Sequence, residues 1–227
     1  MNDRMDGRKV LVTQAEDYMG PAIAELFEAE GAQVTRVSGV VESVAQVATM
    51  LEEAGDLDVV IANLARDPTS TPVAEIDDDR WRALFATLVD PLMWLVRAAA
   101  PAMVARGGGK IVAVTSAAPL RGIPGSAAYC AARGAQNAFV RASGLEFAGG
   151  NVQINAIAQN YVSNEAYYPD NLVASERFQK HLARNVPSRR VAESWESAEL
   201  ALFLASDKSN FIVGQVVPFA GGWVTTT

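Results

Sequence analysis

Short apolar runs alternate with longer helical segments along the whole chain, and this alternation most restricts its fold. "KVLVT" (9–13), "QVTRVS" (33–38), "DVVIAN" (58–63), "KIVAVTS" (110–116), "VQINAIA" (152–158) and "QVVPFAGG" (215–222) read as strands. Helical patterns fill residues 21–30, 41–54, 80–105, 126–148 and 193–205, with Gly31 and Gly55 closing the first two and Asp77 to Asp79 capping the third. Strands joined by helical crossovers pair in parallel, so the expectation is one α/β domain over residues 1–227, with a doubly wound, mostly parallel sheet. The stretch 159–190, with two prolines and a tyrosine pair, reads as irregular.

Composition narrows the partners. A net charge of −7 without a basic cluster argues against nucleic acid. The single Cys130 excludes an intramolecular disulfide and fits a reducing, cytoplasmic compartment. The polar start "MNDRMDGRK" does not read as a signal peptide. Asp90, Pro91 and Arg97 interrupt the apolar stretch 84–105, which reads as a buried or subunit-interface helix and not a membrane span. No His/Cys cluster supports a metal, and the only histidine, His181, reads as a surface or loop residue.

In a doubly wound sheet, ligands bind beyond the carboxyl ends of the strands. Site residues are therefore expected after Thr13, Asn63, Ser116 and Ala158. Ser116 ends a strand, and Tyr129 and Arg133, four apart, share one face of the helix that follows. Such a Tyr–Arg pair is commonly a packing pair, but its place after a strand and turn raises the functional reading. The trio suits proton abstraction from an alcohol: a guanidinium favours the phenolate of a tyrosine beside it, and Ser116 is placed to hold the substrate oxygen. Cys130 points about 100° from Tyr129 on the helix and reads as packing.

"TQAEDYMG" (13–20) has the frame of a phosphate-binding turn, but Gln14 and Tyr18 stand where glycine would let backbone approach a pyrophosphate. Glu16 and Asp17 add repulsion, and no acid directly follows the second strand to hold a ribose. Arg36 keeps a 2′-phosphate, and hence NADP, in view.

The whole chain resembles the short-chain dehydrogenase/reductase superfamily, which carries a Thr-Gly-x-x-x-Gly-x-Gly loop and a Ser, Tyr, Lys triad. Here the loop lacks two glycines and "YCAAR" places Arg133 where that triad has lysine. The paired departure resembles the halohydrin dehalogenases, whose pattern is Thr, four residues, Phe or Tyr, one residue, Gly, with Ser, twelve residues, Tyr, three residues, Arg. The resemblance implies a Rossmann-like fold, no cofactor, a homotetramer, and conversion of a vicinal halohydrin to an epoxide, halide and proton. It also implies the reverse opening of epoxides by azide, cyanide or nitrite. Tyr129 is then the base, Ser116 orients the oxygen and Arg133 tunes Tyr129. The loop after the fifth strand, with Gln159, Asn160, Tyr161 and Val162, would join Tyr18 in a halide site, because successive backbone N–H groups cup an anion. Leu120, Ile123, Tyr167, Tyr168 and Pro169 are candidates for the substrate pocket, and Trp223 for the core or an interface. An NADP-dependent reductase with an atypical loop, and a non-catalytic member of the superfamily, remain the alternatives.

Overall fold

The computed structural model describes residues 4–66 and 70–225. Six strands form one parallel sheet: β1 (Lys9–Thr13), β2 (Gln33–Val37), β3 (Val59–Asn63), β4 (Gly109–Ser116), β5 (Val152–Gln159) and β6 (Val216–Phe219). Their order is β2-β1-β3-β4-β5-β6, so the direction of winding reverses between β1 and β3. The register pairs Val10 with Val59, Asn63 with Val114 and Ser116 with Gln159, which brings the ends of β3, β4 and β5 to one rim.

The apolar runs lack a polar alternation because helices cover both faces of the sheet. On one face Leu11, Val60, Ile111 and Ile154 pack under α2 (Val44–Ala54), α4 (Asp90–Ala105) and α6 (Ala127–Phe147). On the other Val10, Ile61, Val112 and Ile157 pack under α1 (Gly20–Ala29) and α9 (Ser194–Ala205). Gly144 lets α6 lie against the strands: a Cβ there would meet the Ile154 carbonyl at 2.8 Å.

Three local expectations are corrected. The helix expected over 80–105 is two, α3 (Asp78–Leu88) and α4, joined at Val89. Pro91 has no N–H for the preceding turn, so it starts α4 and does not continue α3. Asp77 caps α3 as expected, accepting from the Arg80 N–H at 2.7 Å. By length and composition the span Asp78–Ala105 is apolar enough to cross a membrane, yet Leu92, Leu95, Val96 and Met103 bury its α4 part against the sheet. The stretch 159–190 is not wholly irregular: beyond the one-turn α5 (Ala118–Arg121) earlier in the chain, it holds the one-turn α7 (Asp170–Val173) and the ten-residue α8 (Glu176–Asn185). Ser175 caps α8, and Leu182 anchors it. His181 therefore lies on a helix, although exposed as expected.

Candidate active site

The turn after β1 keeps the backbone of a glycine loop without two of its glycines. Gln14 has φ +44° and Tyr18 φ +53°, left-handed values that side chains rarely adopt. Surrounding bonds hold them there. The Gln14 amide donates to the Ala65 carbonyl at 3.1 Å and accepts from the Ala65 N–H at 2.6 Å. Asn63 donates to the carbonyls of Gln14 and Asp17 at 2.9 and 3.0 Å. Gly20 is the position where glycine is indispensable, since a Cβ would lie 2.2 Å from the Gln14 carbonyl oxygen. Glu16 pairs with Arg36 at 3.6 Å. Arg36 is committed to Glu28 at 2.8 Å and is not poised for a phosphate.

The Tyr18 ring lies 5.4 Å from that of Tyr167, centroid to centroid. Tyr18 borders two cavities. One, of about 290 Å³, reaches Ser116, Tyr129, Arg133 and Val162. The other, of about 580 Å³, continues from Gln14 along the cleft where a dinucleotide would lie in this architecture, and Glu16, Asp17, Glu42 and Glu165 line it.

Inside the smaller cavity, α6 presents Tyr129 and Arg133 as its spacing requires. Arg133 Nε donates to the Tyr129 phenol oxygen at 3.0 Å. Nη1 donates to the carbonyls of Leu64 and Val114 and to Gln136 Oε1, at 2.8, 3.3 and 2.9 Å. Burial opposes the charge of this residue, but the phenols of Tyr129 and Tyr167 outweigh it and hold the guanidinium above its ordinary pKa. Ser116 ends β4 with its Oγ accepting from the Ala118 N–H at 3.1 Å, so its own hydrogen remains to donate. Tyr167 donates its hydroxyl to the Arg66 carbonyl. Burial, then Tyr129, push the Tyr167 phenol up, with Arg133 opposing; burial, then Tyr161, do the same for Tyr168. Both stay neutral walls at ordinary pH.

The loop after β5 supplies the facing wall. Asn160 Oδ1 accepts from the Tyr161 N–H at 2.9 Å and from the Tyr168 hydroxyl at 2.5 Å. Tyr161 turns left-handed, φ +55°. Val162 pairs with Ala192 in a parallel bridge made by the Tyr161 carbonyl and the Ser163 N–H, so the Val162 N–H points away from Ala192. Val162 lines the cavity, and among the described residues its N–H has no acceptor. Ser197 holds Gln159 Oε1 at 3.0 Å, which orients the amide of that cavity-lining residue.

Gln159, Asn160, Val162, Tyr18, Ile123 and Tyr168 line one cavity with Ser116, Tyr129 and Arg133. Tyr161 and Leu120 do not. The Tyr161 ring packs beside Tyr168, Phe178 and His181 and edge-on to Trp223, with its hydroxyl 2.9 Å from His181 Nε2. It contributes backbone shape only. Leu120 lies half-buried on the single turn of α5, which packs it against the core; Gly122, φ +81°, turns the chain before Ile123, which lines the cavity. Pro169 precedes α7 and does not line the cavity, whereas Tyr167 does. Trp223 joins the core and stacks under Arg121, 4.9 Å from its ring centroid. Cys130 is a half-buried free thiol. Of the pocket-shaping segment expected at 65–71, residues 67–69 lie outside the described residues. Among the described residues no three His, Cys, Asp or Glu side chains gather as metal ligands would. Asn63, Asn164, Ser126 and Gln136 were not singled out as site residues from sequence. For Gln136 a signal existed: a polar side chain three residues beyond Arg133, on the same face of an Ala-rich helix.

Residues 4–224 match the family described as enoyl-(acyl carrier protein) reductase. Galactitol 2-dehydrogenase (L-tagatose-forming) of Cereibacter sphaeroides is 32% identical, over 97% of this chain and 96% of its own. This chain belongs to the short-chain dehydrogenase/reductase superfamily. Meso-2,3-butanediol dehydrogenase of Serratia marcescens is 30% identical, over 96% of this short-chain dehydrogenase/reductase chain and 95% of its own. A solved structure of a dehalogenation enzyme superposes with a TM-score of 0.90 at 30% identity, covering 97% of this chain and all of that one. A halohydrin dehalogenase bound to ethyl (2S)-oxiran-2-ylacetate, 22% identical, shares the fold with a TM-score of 0.89, over 96% of this chain and 98% of its own.

Proposed function

We propose that the protein is a cofactor-free halohydrin dehalogenase, which closes vicinal halohydrins to epoxides and reopens epoxides with small anions. The observation that carries the reading is that one cavity is lined both by the Tyr129–Arg133 pair and by Val162, whose N–H has no acceptor among the described residues. Ser116 donates to the substrate hydroxyl oxygen, and Tyr129 takes its proton. The oxygen electron pair then attacks the neighbouring carbon, the carbon–halogen bond breaks, and its electrons leave with the halide. The Val162 N–H and the Gln159 amide are the donors this reading assigns to the charge that develops there, and donors aimed at such charge act on the transition state. Arg133 keeps a fixed positive charge beside the oxygen that gains and loses the proton. The similarity to a dehalogenation enzyme at 30% identity supports this reading.

The residues after β1 do not fit a nicotinamide dinucleotide. The Gln14 side chain is tied across to Ala65, Tyr18 fills the approach, and the cleft beyond carries Glu16, Asp17, Glu42 and Glu165 where phosphates would lie. A reductase is the second reading, favoured by the dehydrogenase relatives of 32% and 30% identity. Paired assays separate the two: bromide release from a bromohydrin, and azidoalcohol formation from the matching epoxide, on wild type and Tyr129→Phe. Loss of a positioned acid–base group typically costs about 10²–10⁴ in rate, and both directions should fall together. A mutant that keeps either activity at the wild-type rate refutes Tyr129 as the shared group. Wild type that oxidises NADPH and releases no halide is a reductase.

A further inference from the structure

Arg133 is 3% exposed, and among the described residues no carboxylate pairs with it. Buried charges are ordinarily matched by an opposite one. Behind this guanidinium stands an amide. Gln136, 1% exposed, accepts from Nη1 at 2.9 Å and donates its own Nε2 to the Leu88 carbonyl at 2.5 Å. That carbonyl is open to it because α3 ends at Leu88, where Val89 and Pro91 break the helical ladder. The break therefore serves the site: Leu88 holds Gln136, Gln136 holds Arg133, and Arg133 donates to Tyr129. Both amide ends are used, so the side chain has one orientation.

We propose that Gln136 is a positioning residue, a neutral backstop that fixes the direction of the Arg133 guanidinium without compensating its charge. The balancing negative charge then comes from the cavity side, from the oxygen that loses its proton and from the bound anion. A carboxylate at this place would hold the guanidinium as well but would satisfy its charge from behind. The catalytic part of the inference rests on the dehalogenase reading; the anion-binding part does not.

Two variants test it. Gln136→Glu keeps the size and one hydrogen bond to Arg133 while adding the charge. It should weaken bromide binding, followed by quenching of intrinsic fluorescence, by about tenfold, and move the pH–rate profile to higher pH. Gln136→Met removes both hydrogen bonds without adding charge. It should bind bromide within a few-fold of wild type with KM little changed, while kcat falls by about tenfold or more because the guanidinium is no longer aimed. A role in packing alone predicts none of this separation. A folded Gln136→Glu protein with wild-type bromide affinity and pH profile overturns the proposal, as does Gln136→Met with wild-type kcat. If Gln136→Glu fails to fold, the methionine variant decides alone. Wild type that binds bromide but turns over no halohydrin overturns the reaction proposed above and leaves the bromide comparison to judge Gln136. Wild type that binds no bromide overturns both.

Discussion

Lys110 offers a quantitative test of the fold, remote from the chemistry. It lies near the start of β4, at the opposite end from Ser116, 6% exposed, with Nζ on Asn210 Oδ1 at 2.6 Å and Ser209 Oγ at 3.3 Å. Burial pushes its amine down from 10.5 to about 8, with Asp207 opposing and Arg8 adding to the fall. At Lys110 the folded chain therefore binds less of a proton than the unfolded one between pH 8 and 10.5, and the contribution of this residue to stability rises with pH in that window. Each tenfold change in proton affinity is worth about 1.4 kcal/mol, so carrying this charge at neutral pH costs about 3 kcal/mol. Titrating both states returns about 2 kcal/mol of this between about pH 8 and about pH 10. Lys110→Met has no charge to relieve. Urea unfolding of both proteins across the window should show the mutant losing about 2 kcal/mol relative to wild type, and the tyrosines, common to both, cancel in the difference. A flat difference curve would show that Lys110 is solvated in the native state and that the packing described around it is wrong.

Calorimetry with NADH or NADPH should show no saturable heat, because Gln14 and Tyr18 occupy the phosphate approach; a clear micromolar isotherm would move the assignment to a reductase. Arg133→Lys should fold yet lose activity near neutral pH, since lysine keeps the charge but cannot serve Tyr129, two carbonyls and Gln136 from one planar fork; full activity with an unchanged pH profile would refute this. The protein should be a homotetramer, with Trp195 at 62% exposure and the wholly exposed Phe211 supplying apolar surface for burial; light scattering that reports a monomer at micromolar concentration would refute it.

Much of the architecture could be read in advance because period and punctuation agreed: unbroken apolar runs between helices admit few solutions but a covered parallel sheet. The break at Val89 was hidden because proline at the first position of a helix looks the same whether a helix starts or one is interrupted. The helix α8 escaped because it is mostly charged and its few apolar residues, Phe178 and Leu182, are too sparse to stand out beside the prolines and tyrosines around it, although they share one face. At the site, Ser116, Tyr129 and Arg133 were legible through simple geometry, a strand end and one helix face. Tyr161 was half legible: sequence spacing located the loop but could not separate a backbone that shapes the cavity from a ring that leaves it. Leu120 and Ile123 differ by one helical turn and a left-handed glycine, a rotation that no residue count conveys.

The left-handed Gln14 and Tyr18 divide the control of ligand choice between two levels of the molecule. The main chain keeps the turn of a phosphate-binding loop, held by Asn63 and close-packed at Gly20, and the side chains of Gln14 and Tyr18 stand in it. Exclusion and shape are therefore separable. Glycine at both positions would relax the turn without rerouting it, although the loss of the two Gln14–Ala65 bonds would offset part of that gain. What the fold can accommodate and what the protein admits are then different questions, and on the reading proposed above an amide and a phenol ring bear on the second.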